Sequence, residues 1–131
     1  MTVTMPELLP DLKDLYEDLH AHPELSFCEV RTAGLLADRL EALGYEVTRE
    51  VGGTGVVAVL ANGDGPTVLL RADIDALPVE ELTGLPYAST VRAPGLDGNE
   101  VPVAHACGHD MHAAWMIGVG TVRLPLRGGV P

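Results

Sequence analysis

Three histidines and a cysteine fall within one short stretch, His105-Ala106-Cys107-Gly108-His109-Asp110-Met111-His112. Thiolate and imidazole are good ligands for zinc and similar divalent ions. Geometry restricts which of them act together. Cys107 and His109 are separated by Gly108 alone, so on a helix they point to nearly opposite sides and in an extended segment to the same side. Co-ligation by this pair therefore requires extended or loop backbone, with a helix beginning near His109 or Asp110. Gly108 permits a tight bend, and Asp110 favours a helix start through the macrodipole. His109 and His112 then share a helix face. The plain alternative is a core cysteine with incidental histidines. A structural zinc site needs four protein ligands, for which only His20 and His22 offer a second pair. A thiol enzyme, with Cys107 served by His105 or His109 as base, lacks an evident oxyanion site.

A second group is Asp73-Ile74-Asp75-Ala76-Leu77-Pro78, which follows the apolar run Val68-Leu69-Leu70. Active sites of open α/β sheets lie beyond the carboxyl ends of strands. Asp73 and Asp75 share a side if the backbone stays extended, and one of them suits a carboxylate that orients a ligand or partner by hydrogen bonding. A solvated strand end with a turn at Pro78 accounts for them equally well. His20-Ala21-His22-Pro23-Glu24 reads first as histidines at a helix C-terminus, favoured by the dipole. Glu80-Glu81 resembles a catalytic carboxylate pair but reads as part of a solvated loop or turn.

The elements that must position these groups follow from periodicity. Leu8, Leu12, Leu15, Tyr16 and Leu19 recur at helical spacing over Pro6–Ala21, with Pro10 expected to delay the start and Pro23 to stop it. A second helix is expected over Cys28–Leu43, with Leu35, Leu36, Leu40 and Leu43 as its stripe and Gly44 as its C-cap. Strands are expected at Tyr45–Val51 and Thr54–Leu60 around a Gly52-Gly53 turn. Asn62 to Pro66 is a turn cluster, and Val68-Leu69-Leu70 is expected as a buried strand. Gly84–Val101 reads as an irregular surface loop, and Asp110–Val119 as a helix. Helices, strands and a further helix predict an α/β layer fold. A helix begun at Asp110 meets the breakers Pro125, Gly128, Gly129 and Pro131, where such a domain should add more strands.

Composition sets the outer limits. At 131 residues, with 47% hydrophobic and 21% charged, the chain suits one globular domain. Its net charge of −11, from 8 basic and 19 acidic residues, makes nucleic acid and anionic membranes poor partners. Cys28 and Cys107 are too few for a disulfide framework and read as reduced thiols of a cytoplasmic protein. No run approaches the roughly 18 apolar residues of a membrane span. Met1–Asp11 lacks the pattern of a signal peptide.

Three segments together resemble a known family. Asp18-Leu19-His20-Ala21-His22-Pro23-Glu24-Leu25-Ser26-Phe27, Arg71 to Pro78 and His105 to His112 occur in the order found in metal-dependent amidohydrolases. That group includes hippurate hydrolase and auxin-conjugate hydrolases, within the superfamily of aminoacylase and carboxypeptidase G. The resemblance implies the N-terminal portion of a three-layer αβα zinc-peptidase-like domain with an incomplete sheet. It implies a two-metal site (zinc, manganese, cobalt or nickel) with Cys107 and His109 as metal ligands and Asp75 as the catalytic carboxylate that orients the site. Cys107 takes a ligand role that other branches give to a His at the position of Asp73. The implied reaction is hydrolysis of the amide of an N-acyl amino acid by metal-activated water, with a glutamate as general base. In the family that glutamate follows the Cys/His motif, so Glu80-Glu81, which precedes it, does not fill the role by position.

The domain expectation is a partial catalytic domain over residues 1–120 and an unmatched tail over 121–131, from truncation or frameshift. The chain alone is expected to be inactive, with a small-molecule amide as the substrate of the complete protein and a homodimer consistent with full length. A non-catalytic remnant, or a module that binds a metal or a partner, is the alternative. An incomplete sheet should expose apolar strand edges.

Overall fold

The computed structural model describes residues 5–61 and 63–122. Helix α1 spans Met5–Ala21 and α2 spans Val30–Ala42; β1 (Glu46–Val51) and β2 (Gly55–Val59) follow, then β3 (Arg92–Pro94), β4 (Glu100–Pro102) and α3 (His109–Thr121). The leucine stripe of α1 is buried as its spacing predicts: Leu8, Leu12, Leu15 and Leu19 face the core. Pro10 does not delay the helix, which already runs from Met5 and contains it. The core forms where Leu36 and Leu40 of α2 and Ala113, Ala114 and Ile117 of α3 meet that stripe. Gly118 permits the close approach of α3 to α1, since a Cβ there would lie 2.8 Å from Leu12 Cδ1.

Helix α2 begins at Val30, two residues later than Cys28. Its first turn has no side-chain cap of its own. Glu24 supplies the acceptors instead, taking the Arg31 and Thr32 amides at 2.9 and 2.7 Å. The helix ends as expected at Gly44, whose φ is 86°. The Gly44 amide donates to Glu41 and the Tyr45 amide to Leu40, which is a Schellman closure.

Strands β1 and β2 form an antiparallel hairpin with Val47 opposite Ala58 and an irregularity between Thr48 and Val51. Their inward side chains Val47, Val56 and Ala58 pack against the helical core. The turn uses Gly52 and Gly53 at positive φ. Of the next turn cluster, Gly63 and Gly65 also have positive φ, whereas Asn62 lies outside the described residues.

Two sequence expectations fail here. Gly84–Val101 is not wholly irregular: β3 and β4 pair antiparallel, Arg92 opposite Pro102 and Pro94 opposite Glu100. Asp97 closes their turn by accepting the Asn99 amide at 3.0 Å. Local side-chain acceptors thus support a hairpin in a stretch whose Gly and Pro content suggests none. Conversely, Val68-Leu69-Leu70 forms no strand among the described residues, and Leu69 is 87% exposed. An all-apolar strand needs ladder partners and covered faces, and the described residues place neither beside this run. The expected exposure of apolar surface is found there. Elsewhere the fold is the mixed α/β arrangement the sequence predicts. The tail from residue 123 onward lies outside the described residues.

Single bridges bring the chemistry-bearing segments together. Leu25 pairs parallel with Ala76, and Leu77 antiparallel with Ala104. The Ala76 amide donates to Glu24, and Leu77 and Ala104 exchange both their backbone hydrogen bonds. Ser26, Asp75 and the Cys/His segment therefore converge at one end of this short ladder.

Candidate metal centre

The backbone meets the condition set by the Cys107/His109 spacing. Gly108 is the N-cap residue of α3, left-handed at φ 77° and ψ 21°, and the helix begins at His109. A Cβ at Gly108 would touch nothing within 4 Å, so glycine is favoured there by conformation and not by space. Cys107 precedes the bend as an exposed free thiol, and Cys28 is likewise exposed and free.

Asp75 holds the ring of His109. The His109 Nδ1 lies 2.9 Å from both the carboxylate and the carbonyl oxygen of Asp75. Both are acceptors, so Nδ1 carries a proton, and in the neutral ring the lone pair is on Nε2. Nε2 faces Asp73 at 4.0 Å, and Arg71 is paired with that same carboxylate. Asp75 accepts a further hydrogen bond from Ser26 Oγ at 2.5 Å. The Ser26 hydroxyl, with help from His109 and against partial burial, holds the Asp75 carboxyl below its usual range. An ionised carboxylate behind a histidine fixes its tautomer and raises its basicity as a ligand.

The donor set fits part of a divalent metal site. A thiol and a neutral imidazole nitrogen flank a glycine bend, and both are suited to zinc-like ions. Among the described residues no group of three or more His, Cys, Asp and Glu side chains gathers as a metal site. Catalytic zinc sites use three protein ligands, so these two residues alone would supply only a portion of such a site.

The remaining histidines divide differently. His20 does not pair with His22 as a ligand: its Nδ1 is 2.6 Å from Asp110 Oδ2 and its Nε2 is 3.0 Å from Glu81 Oε1. Burial works against the charged ring, but the two carboxylates outweigh it and raise its pKa. Glu81 is not solvated, as the sequence suggests; its side chain is 5% exposed. It accepts from Thr83 Oγ1 at 2.5 Å and the Ser89 amide at 2.6 Å. Although burial opposes ionisation, these donors and His20 lower its pKa to about 2. His22 is exposed and bonds back to the Asp18 carbonyl. His105 is buried, with neither ring nitrogen paired among the described residues, and burial pushes its pKa down. His112 stacks loosely between His109 and Trp115, with ring centres 5.8 and 5.7 Å away.

Sequence reasoning did not find Ser26 as a partner of Asp75, nor the link from His20 to Glu81 and Asp110. Both are contacts between distant segments, and the one local hint was that His20 and Ser26 lie in the motif beginning at Asp18.

Residues 69–123 match the family profile of peptidase family M20/M25/M40. A protein of Rhodococcus jostii (strain RHA1) bearing the name glutamate–cysteine ligase 2-3 is 49% identical over 115 residues, 86% of this chain and 13% of that protein. The hippurate hydrolase of Campylobacter jejuni is 44% identical over 118 residues, 86% of this chain and 28% of that enzyme. Among solved structures, the YXEP protein of Bacillus subtilis, a dinuclear metal binding peptidase from the M20 family, is 40% identical with a TM-score of 0.76. That match covers 90% of this chain and 31% of the other. The chain thus spans less than a third of the length of these relatives. Among the described residues no helix is long and apolar enough to cross a membrane. The resemblance carried by the three motifs is therefore borne out: residues 69–123 carry the sequence pattern of peptidase family M20/M25/M40, and relatives 40% or more identical align with most of the chain.

Proposed function

We propose that this chain is the N-terminal portion, about residues 1–123, of the catalytic domain of a metal-dependent amidohydrolase that cleaves the amide of N-acyl amino acids or related small amides. The observation that carries this reading is the Asp75–His109 pair beside Cys107: a histidine whose Nδ1 is fixed by a carboxylate, with Nε2 turned to the Asp73 side. Cys107 and His109 would hold the metal, and the complete site would take two divalent ions. When bound, such an ion supplies a Lewis acid that polarises a carbonyl and lowers the pKa of water. The name of the Campylobacter relative, hippurate hydrolase, supports the substrate class. The dinuclear metal binding of the Bacillus YXEP protein supports a two-metal site.

Within the chain, Asp75 keeps His109 in one tautomer and one orientation, and Ser26 keeps Asp75 ionised. No residue of the chain is assigned as general base, because Glu81 is occupied by His20, Thr83 and Ser89. Turnover therefore belongs to the full-length protein, a soluble cytoplasmic enzyme in this proposal. The tail boundary expected at residue 121 falls within α3 and the family match, so the proposed end of the catalytic portion moves to about residue 123.

Calorimetric titration of the chain with zinc tests the site. Binding that Cys107→Ser and His109→Gln each weaken is expected; binding indifferent to both would reject the ligand assignment. Hippurate with added manganese or zinc tests the activity. The chain alone should show no turnover, and robust metal-dependent hydrolysis by these 131 residues would overturn the claim that the base lies elsewhere.

A further inference from the structure

His20 is left unused by the proposed chemistry, yet both nitrogens of its ring are held. It is 8% exposed. Its two nitrogens both face carboxylate oxygens, Asp110 at 2.6 Å and Glu81 at 3.0 Å, and carboxylates accept. Both nitrogens therefore donate, and the ring sits as an imidazolium between two acids. Tyr16 and Tyr87 pack around it with ring centres 5.5 and 5.4 Å away. One ring thus ties the last turn of α1, the first turn of α3 and the Glu81 loop.

The first turn of α3 needs such a tie. Its N-cap residue, Gly108, has no side chain to cap the helix, and uncapped first turns fray. Within that turn Asp110 accepts the Met111 amide with Oδ1 at 2.9 Å and His20 with Oδ2. His109 is the residue immediately before Asp110, and its other restraint is the bond from its ring to Asp75.

We propose that His20 is a positioning residue for His109: by holding Asp110 it fixes the first turn of α3 and so the direction in which His109 presents Nε2. The link to metal binding rests on the proposed ligand role of His109; the link to the ring itself does not. A charged, buried, doubly bonded ring resists rotation, so it sets the helix start more rigidly than a backbone cap at Gly108 does. His20 touches no reacting atom in this role and acts through Asp110.

The test uses His20→Gln in the metal-free chain and follows the His109 ring by proton–nitrogen correlation spectra. Zinc affinity is measured in parallel. In the parent chain the His109 Nδ1 proton should be observable and slow to exchange, because Asp75 shields it. His20→Gln should broaden or abolish that signal with helix content retained, and should weaken zinc binding about tenfold, as loss of a partner outside the ligand shell does. A lower melting temperature with the His109 signal and zinc affinity unchanged would overturn the proposal and leave His20 a purely structural residue. If His20→Gln does not fold, Asp110→Asn carries the same test, since it keeps an acceptor for the Met111 amide and loses the charge that faces His20. Zinc binding that is insensitive to Cys107→Ser would count against the metal site alone. The ring spectra, recorded without metal, would still decide the positioning role.

Discussion

Glu81→Gln should erase the acid limb of the stability profile that the His20–Glu81 contact creates. The Glu81 carboxyl falls from 4.5 to about 2 on folding, which corresponds to roughly 3 kcal/mol at about 1.4 kcal/mol per pH unit. Its side chain is 5% exposed, so solvent screening removes little of this. Because the folded pKa is depressed, the contribution is present above 4.5 and is lost as pH falls toward 2. His20 is shifted the other way: burial disfavours its charge, but Glu81 and Asp110 raise its pKa above 6.5. Its contribution is complete below 6.5 and disappears as pH rises through the raised folded value. The two shifts share one contact, so its energy counts once. Both contributions are complete between pH 4.5 and 6.5, where stability should peak. Urea denaturation followed by circular dichroism from pH 2 to 8 measures the profile. Near pH 5.5 the Glu81→Gln chain should be less stable by about 2–3 kcal/mol, roughly 10 °C in Tm, and the gap should close toward pH 2. A gap that stays constant from pH 6 to pH 2 would show that Glu81 stabilises through shape or hydrogen bonding alone and would refute its depressed pKa.

Three further outcomes follow from named contacts. Leu19→Ala, at a side chain with no exposed surface, should cost about 2–5 kcal/mol in urea denaturation, because it opens a cavity where the three helices meet. Gly108→Ala should cost about 1 kcal/mol, the penalty of an L-residue in the left-handed region, since no atom lies within 4 Å to add a clash; zinc titration should show weaker binding as the bend between Cys107 and His109 shifts. Ser26→Ala should raise the Asp75 pKa toward 3.8, because the Ser26 hydroxyl is the largest contributor to its depression; carboxyl carbon chemical shifts against pH would report it, and an unmoved titration would remove Ser26 from the site.

Much of the frame was legible because it depends on local sequence. The leucine spacing of α1, the glycine that ends α2 and the Gly52-Gly53 turn each encode their geometry within a few residues. The bend at Gly108 was legible for a chemical reason: two proposed ligands separated by one residue cannot share a helix face, so their joint use required a helix beginning at or after His109. The Asp75–His109 pairing was legible only in type. A carboxylate near the end of an apolar run suits an orienting role, but Asp73 and Asp75 are equivalent by alternation; the resemblance singles out Asp75, and the fold places Asp75 on Nδ1 and Asp73 on the Nε2 side.

The remaining features depend on partners far apart in the chain. Val68-Leu69-Leu70 has the composition of a buried strand, but burial belongs to the neighbours and not to the run; with no ladder partner among the described residues its side chains are exposed. Glu81 shows the reverse error. A loop position and a second acid at Glu80 suggest solvation, yet donors from Thr83, Ser89 and His20 converge on its carboxylate. Charge alone does not place a residue outside; an unmatched charge does. The same principle separates His20 from His105. Both are buried, and neither stands out in the sequence as the one to carry charge, but His20 meets two carboxylates and keeps its proton, whereas His105 meets no partner among the described residues and is driven toward neutrality. Which histidine is anchored and which is proposed as a ligand therefore follows from the acids that the fold brings to each ring: Asp110 and Glu81 take both nitrogens of His20, while Asp75 takes only Nδ1 of His109.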